Sequence, residues 1–317
     1  MVSLQIMCRL IDDITNFLES NGFECSRQIR NDFDVICTKA LNGRHSRIIL
    51  PLELKARSQE EAVRECREAI KAIIMISNEL EYPLIITEDR WRRQREMMEA
   101  RLLAHLELFS PAYARNCEVR RIDKAEAKAF LSLNHSYGYA ACRYCYGLFL
   151  KRHTGHIAEE TRYLDSIPPA RDDKEAARES HIGKMIAVAT FSNARKWVKD
   201  GKEIRSYEWT RYASLPEMRV SGGMGKLLKA FIKDVQPDDI MSYADLEWSE
   251  GEVYAALGFK AEMEKEAVDF IIDEDTWERS PIRSGITASD VIAGSTGNLF
   301  FRNFGSRKFR LKLTDYK

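Results

Sequence analysis

The stretch that most limits how this chain can fold runs from Ser206 to Lys260, SYEWTRYASLPEMRVSGGMGKLLKAFIKDVQPDDIMSYADLEWSEGEVYAALGFK. It reads as strand, glycine-rich turn, amphipathic helix, strand, short helix and a Gly-Phe stop. Tyr207 to Ser214 has the look of a strand, and a loop through Pro216, Glu217 and Met218 leads to Gly222, Gly223 and Gly225. Leu227, Leu228, Phe231 and Ile232 mark the buried face of the next helix, which ends before Pro237. Asp239 to Asp245 is a second strand, and Ser249 and Glu250 open a short helix carrying Tyr254 and ending at Gly258-Phe259. Bare backbone at the three glycines lets an anion approach, and the free N–H groups and dipole of the following helix favour its charge.

A chain of 317 residues suggests two domains, each able to bury its own core. Hydrophobic residues make up 44% and charged residues 31%, as in soluble globular proteins rather than disordered ones. No apolar run approaches the roughly 20 residues of a membrane span. The start, MVSLQIMCRLIDDI, shows no basic n-region before an apolar segment, so no export signal is expected. The 7 cysteines lack framework spacing and fit reduced thiols, hence a cytoplasmic location. Lys+Arg and Asp+Glu are both 49, and zero net charge argues against non-specific nucleic-acid binding while leaving room for local patches.

In the first hundred residues, Ile6, Leu10, Ile14, Phe17 and Leu18 share a helical face that Asn21-Gly22 ends. Three β-prone runs follow, Phe23 to Ile29, Phe33 to Ala40 and Arg47 to Ala56, with a turn at Leu41-Asn42-Gly43. Ser58 and Glu61 form a capping box for a helix with Ala62, Cys66, Ala69, Ile70, Ile73 and Ile76 on its apolar side. Tyr82 to Thr87 is a fourth strand and Trp91 to Leu106 another helix. Asp34 falls on the second strand, and Glu53-Leu54-Lys55 on the third, where alternation puts Glu53 and Lys55 on one face.

That element order and the Glu-x-Lys position resemble the PD-(D/E)xK nuclease-like fold over roughly residues 1 to 90. The resemblance implies a divalent metal, Mg2+, held by Asp34 and Glu53 with Lys55 as catalytic neighbour, and phosphodiester cleavage of DNA. The plain reading of the same residues is a solvated ion pair at a strand edge, and a degenerate fold kept for binding lies between. Arg90, Arg92, Arg93, Arg95 and Arg101 around Trp91 would suit phosphates and a stacked base, but Glu88, Asp89, Glu96 and Glu99 make an ordinary charged helix the better reading.

Ser110-Pro111 breaks the pattern, giving domains at 1–115 and 116–317. Cys117 to Ile122, Tyr146 to Lys151 and Met185 to Ser192 read as strands and Lys124 to Leu133 as a helix. The polar segment 153–184 reads as an insertion and a candidate substrate loop. Cys142, Cys145, His153 and His156 have the wrong spacing for a zinc finger, and strand alternation would point the two cysteines apart, so structural thiols are expected.

The core stretch resembles the acyl-coenzyme-A core of the GNAT superfamily of N-acyltransferases. Arg219-Val220-Ser221-Gly222-Gly223-Met224-Gly225 approximates the family's Q/R-x-x-G-x-G/A motif, with the last glycine displaced by one and Met224 in its place; Glu252 to Phe259 is similar to the family's tyrosine helix before Gly-Phe. Asn134-His135, Tyr207-Glu208, Arg211, Ser242-Tyr243-Ala244-Asp245 and Tyr254 are similar to phage-type Mom-like proteins, which modify adenine in DNA. The resemblance covers roughly residues 117 to 275. It implies acetyl-CoA or another acyl-CoA bound by Arg219, Gly222, Gly223, Gly225 and Lys226, and transfer to an amine, including a nucleobase or nucleic-acid amine. It further implies Glu208 or Asp245 as base, Tyr254 as proton donor to the departing thiolate, and His135 as a substrate-side base or ligand. Read from the residues alone, Tyr254 is equally a core residue, Glu208 and Arg211 a structural ion pair, and His135 a loop histidine.

The end, LFFRNFGSRKFRLKL, reads as a basic edge strand that meets nucleic acid or simply guards a sheet edge. The expected class is α/β (α+β), an αβββαβ nuclease-like domain followed by a GNAT-like mixed-sheet domain. Function is expected to be acyl transfer, with DNA processing by the first domain or a non-catalytic scaffold as the alternatives.

Overall fold

A computed structural model describes residues 9–39, 46–152, 181–199, 201–282 and 297–315. The turn expected at Leu41-Asn42-Gly43, His153, His156 and most of the 153–184 segment lie outside the described residues. The chain is mixed α/β and forms two compact units. One comprises Met1–Leu106, Ala244–Glu250 and Glu264–Arg307; the other comprises Glu107–Tyr243, Gly251–Met263 and Lys308–Lys317. The division is therefore not one cut near residue 116, because two later segments return to the first unit.

In the first unit, α1 (Leu10–Ser20) buries Leu10, Ile11, Ile14 and Leu18 and stops at Asn21-Gly22, where Gly22 takes φ +85°. β1 (Glu24–Arg30) and β2 (Phe33–Lys39) pair antiparallel from Glu24↔Lys39 to Arg30↔Phe33. Asn31 and Asp32, both at positive φ, make the two-residue turn between them, as the twist of a tight hairpin requires. β3 (Ser46–Leu52) runs antiparallel to β2. α2 (Gln59–Glu79) then crosses over to β4 (Leu84–Thr87), which pairs parallel with β3. Ser58 caps α2 by accepting from Glu61 N–H, but the Glu61 carboxylate accepts from Arg57 N–H rather than completing the box at Ser58. The sheet order β1-β2-β3-β4 with one parallel pair follows the expected αβββαβ sequence of elements.

The helix expected from Trp91 is two, α3 (Glu88–Arg93) and α4 (Arg95–His105), broken at Gln94. Trp91 is fully buried and donates to Asp13 at 2.9 Å, so it offers no face for base stacking. The arginines around it are held as well. Arg95 pairs with Asp13 and Glu99, Arg92 with Glu88, and Arg93 with Glu278.

The second unit holds β5 (Ser110–Tyr113), a 3₁₀ turn (Ala114–Asn116), β6 (Cys117–Arg121), α5 (Lys124–Asn134), β7 (Tyr144–Leu150), β8 (Met185–Phe191), β9 (Arg195–Lys199) and β10 (Lys202–Ser214). β11 (Met218–Ser221), α6 (Gly223–Val235), β12 (Asp239–Asp245), α7 (Glu252–Ala256) and β13 (Lys260–Lys265) follow. Asp123 and Glu126 supply a complete capping box to α5. The main sheet runs β13-β17-β12-β10-β8-β7-β6, where β17 is Ser306–Lys312, and β9 forms an arm on β10. Its neighbours are antiparallel from β6 to β10, and β10 pairs with β12 in parallel. α6 closes one face through Phe231, whose ring stacks on Phe191 at 3.8 Å with Tyr144, Tyr146 and Tyr207 set edge-on around it. The tail is not an edge strand, since β17 lies between β13 and β12. Its cations are taken up by Glu262, Glu264 and Asp239.

β14 (Asp269–Asp273), β15 (Arg279–Pro281) and β16 (Asn298–Arg302) form a small sheet that belongs to the first unit. Phe270, Ile272, Leu299 and Phe301 pack with Leu54. A buried charge network adds to that closure: Arg279 donates to Asp89 at 2.6 Å and to Glu247 at 2.8 Å, and Arg90 donates to Glu247 at 2.6 Å.

Candidate functional site

β10 and β12 register only through Ser206↔Asp239, Tyr207↔Ile240 and Glu208↔Met241. Past that point the regular parallel pairing stops, and on its other edge β10 shifts register against β8 between Trp209 and Arg211. A bulge and an interrupted ladder at one place leave backbone groups of the sheet centre without their usual strand partners. Ser242 of β12 occupies this break. Its Oγ lies 3.0 Å from the Trp209 carbonyl and 2.9 Å from Tyr254 Oη. A hydroxyl has one proton, so donation to the carbonyl leaves Tyr254 to donate to Ser242 Oγ.

Tyr254, on α7, is half-buried among Trp209, Phe259 and Phe309, the last stacked at 5.2 Å. Burial pushes its phenol pKa up, and the Arg211 charge only partly opposes this. Arg211 leaves the bulge with Nε on the Gly138 carbonyl at 3.1 Å and Nη1 on the Thr210 carbonyl at 2.8 Å. Burial lowers its pKa, with Glu208, Tyr137 and Tyr254 as the partly compensating neighbours. It makes no ion pair with Glu208; the half-buried Glu208 carboxylate lies 3.5 Å from Arg195 on the β9 arm.

The Gly138 contact brings the α5–β7 loop to Arg211, and with it His135. His135 Nδ1 accepts from Tyr137 N–H at 3.1 Å. In a neutral ring that bond leaves the proton on Nε2. Asp245 goes elsewhere. Its carboxylate accepts from Glu247 N–H at 3.0 Å and pairs with Arg90 at 3.4 Å within the first unit.

The glycine turn follows β11, which pairs in parallel with β5 from Met218↔Ser110 to Ser221↔Tyr113. Gly222 sits at φ +73° as the N-cap of α6, a conformation that favours glycine. A side chain at Gly223 would come within 3.0 Å of Val220 and one at Gly225 within 3.3 Å of Leu257, tight contacts with side chains that would have to give by a few tenths of an ångström. Among the described residues the N–H groups of Gly223, Met224 and Gly225 have no acceptor, while Lys226 N–H already bonds Gly222 O at 3.0 Å. Arg219 is exposed and has no ion-pair partner among the described residues. Lys226 does not face the turn: its ammonium donates to the Ala114 carbonyl at 2.7 Å and to that of Cys117.

In the first unit, Asp34, Glu53 and Lys55 line one cleft of about 310 Å³. Glu53 and Lys55 lie just past β3 rather than on it, because Leu54 N–H turns to Glu88 at 3.2 Å. Arg9 stands between the two carboxylates, 3.1 Å from Asp34 and 3.6 Å from Glu53, and Lys55 holds Glu53 at 2.7 Å. Burial raises the Glu53 pKa, but Lys55 and Arg9 outweigh it and hold the carboxyl below its ordinary value. No three metal-ligating side chains converge among the described residues. So arranged, the pair does not fit the Mg2+ expected there.

Cys142 and Cys145 do not point apart. Cys142 precedes β7, so strand alternation does not apply, and the two buried sulfurs are 3.3 Å from one another.

The sequence reading missed Ser242 as a site residue and the inward course of Arg211. The available signal was a hydroxyl in the apolar run Ile240-Met241-Ser242-Tyr243-Ala244, since a polar group on a buried strand needs a partner.

No protein-family model matches the chain, and no curated protein matches it. Among solved structures it is similar to a conserved protein of unknown function from Enterococcus faecalis V583, described as a probable N-acyltransferase. That likeness has 14% identity and a TM-score of 0.31, covering 51% of this chain and 36% of that one, so the match spans about a third of the other protein's length. It is also similar to a mutant AtaT toxin bound to the C-terminus of the antitoxin AtaR and acetyl-CoA, with 12% identity and a TM-score of 0.25 over 59% of this chain and 93% of that one. At such TM-scores the alignments define no residue equivalences. No helix among the described residues is long and apolar enough to cross a membrane.

Proposed function

We propose that the second unit is an acyl-CoA-dependent N-acyltransferase. The observation that carries this reading is the β10/β12 pair, joined over three residues and then interrupted beside a bulge, with Tyr254 tied to the break through Ser242. Acetyl-CoA or another acyl-CoA would supply an activated thioester. The turn fits its pyrophosphate, because Gly223, Met224 and Gly225 offer unengaged N–H groups and Arg219 an unpaired cation. Lys226 is left out of that set, its charge being spent on two carbonyls.

Each remaining role belongs to this chain's own residues. Tyr254 is kept protonated by its raised pKa and stands ready to give a proton to a thiolate. Arg211 places a desolvated positive charge beside Tyr254, which disfavours an ammonium nearby and so favours the neutral, nucleophilic amine. Glu208 is the base candidate of this unit, with Arg195 as the ion-pair partner it must share. Asp245 is not assigned that role, since Arg90 and Glu247 engage its carboxylate. The acceptor class is an amine of a nucleobase or of a nucleic-acid-associated molecule, by the resemblance of Tyr207-Glu208, Arg211 and Tyr254 to Mom-like proteins.

The test is release of free thiol from acetyl-CoA in the presence of adenine-, cytosine- and polyamine-bearing acceptors. Acceptor-dependent release that falls in Tyr254→Phe without loss of acetyl-CoA affinity is expected. Absence of both binding and release would end the reading.

A further inference from the structure

The cleft of the first unit poses a problem that its carboxylates alone do not answer. Asp34 comes from β2 and Glu53 from the chain just past β3, and their side chains converge on the same small volume. Two carboxylates brought together repel one another unless a cation stands between them. Here one guanidinium does so: Arg9 Nη2 lies 3.1 Å from Asp34 Oδ2 and Arg9 Nε 3.6 Å from Glu53 Oε1. Lys55 takes the remaining Glu53 oxygen at 2.7 Å. A divalent ion would need these same oxygens at about 2.0–2.6 Å, and its double charge would sit against the guanidinium. Arg9 and such an ion therefore exclude each other. Arg9 immediately precedes α1 and its side chain is 59% exposed, so it can swing away without opening the core.

We infer that Arg9 is the resident cation of this cleft, holding Asp34 and Glu53 together in place of a divalent metal, and that a metal enters only when Arg9 is displaced. This inference stands apart from the acyl-transfer reading of the second unit. The first unit is then a module whose cleft holds a guanidinium where a divalent ion would sit.

Mn2+ binding to the full chain, followed by the loss of the free-ion electron paramagnetic resonance signal, tests it. The wild type and the variants Arg9→Gln and Arg9→Met are compared, with Arg9→Gln/Glu53→Gln as the control and thermal unfolding as the check on folding. Both single variants are expected to bind Mn2+ at least about tenfold more tightly than the wild type, and the double variant to lose the gain. Wild-type binding as tight as that of Arg9→Gln, and abolished by Glu53→Gln, would overturn the inference. So would no gain in folded Arg9→Gln and Arg9→Met.

Discussion

Arg279 in the first unit is buried and Arg211 in the second half-buried, and only the first meets carboxylates. Arg279 faces Asp89 and Glu247 at 2.6 and 2.8 Å, and although burial pushes its pKa down, those carboxylates push it well above the ordinary value. Arg211 faces two carbonyls and no carboxylate at ion-pair distance, and burial lowers its pKa. A closed network of buried charges serves the fold, because removing one member strands the others. A desolvated cation answered only by dipoles costs stability where it sits, and such costs gather at sites that bind or react. The contrast is between a charge paired with carboxylates and one paired only with carbonyls.

Substitutions at four positions put that contrast at risk. The largest effect is expected for Glu247→Ala, which leaves Arg90 and Arg279 buried with one carboxylate fewer; it should destabilise the protein by about 3–5 kcal/mol in denaturant unfolding. The same network predicts a pH dependence. Burial raises the Glu247 pKa, but Arg279 and Arg90 outweigh it and hold it well below the ordinary carboxyl value. Its stabilisation is therefore complete above the unfolded carboxyl pKa and declines as pH falls below that range, and the acid limb should flatten in Glu247→Gln. Tyr254→Phe should lower turnover by about 100-fold or more, with the unfolding midpoint and acetyl-CoA affinity little changed. Gly222→Ala forces a side chain at φ +73° and should cost about 1–2 kcal/mol of stability while weakening acyl-CoA binding. Smallest in stability, and sharpest in logic, is Arg211→Met. It should leave stability within about 1 kcal/mol of wild type, or raise it, while activity falls. A loss as large as that of Glu247→Ala would mean that Arg211 is structural too.

Local chemistry made much of the fold legible and long-range pairing hid the rest. Ser58, Asn21-Gly22 and the glycines at 222–225 announce helix ends that the structure keeps, because caps depend on neighbours in sequence. The insertion of β17 between β12 and β13 was hidden, since the basic alternation of its residues looks the same at an edge as beside Glu262 and Asp239. The fate of the arginines was hidden for the same reason: Arg90 and Arg279 share Glu247 across 157 and 32 residues of sequence. At the candidate site, Tyr254, Glu208 and the glycine turn could be named from motif order. Whether Asp245 and Lys226 join them depended on where their side chains turn, and those turn to Arg90 and to the Ala114 carbonyl.

The central claim, that the second unit binds acyl-CoA at the turn after β11, is tested most directly by calorimetric titration with acetyl-CoA, followed by amide hydrogen exchange. The account predicts saturable binding of one molecule per chain, new protection at Gly223, Met224 and Gly225, and weaker binding in Arg219→Gln. No heat of binding and unchanged exchange at those three amides would contradict it.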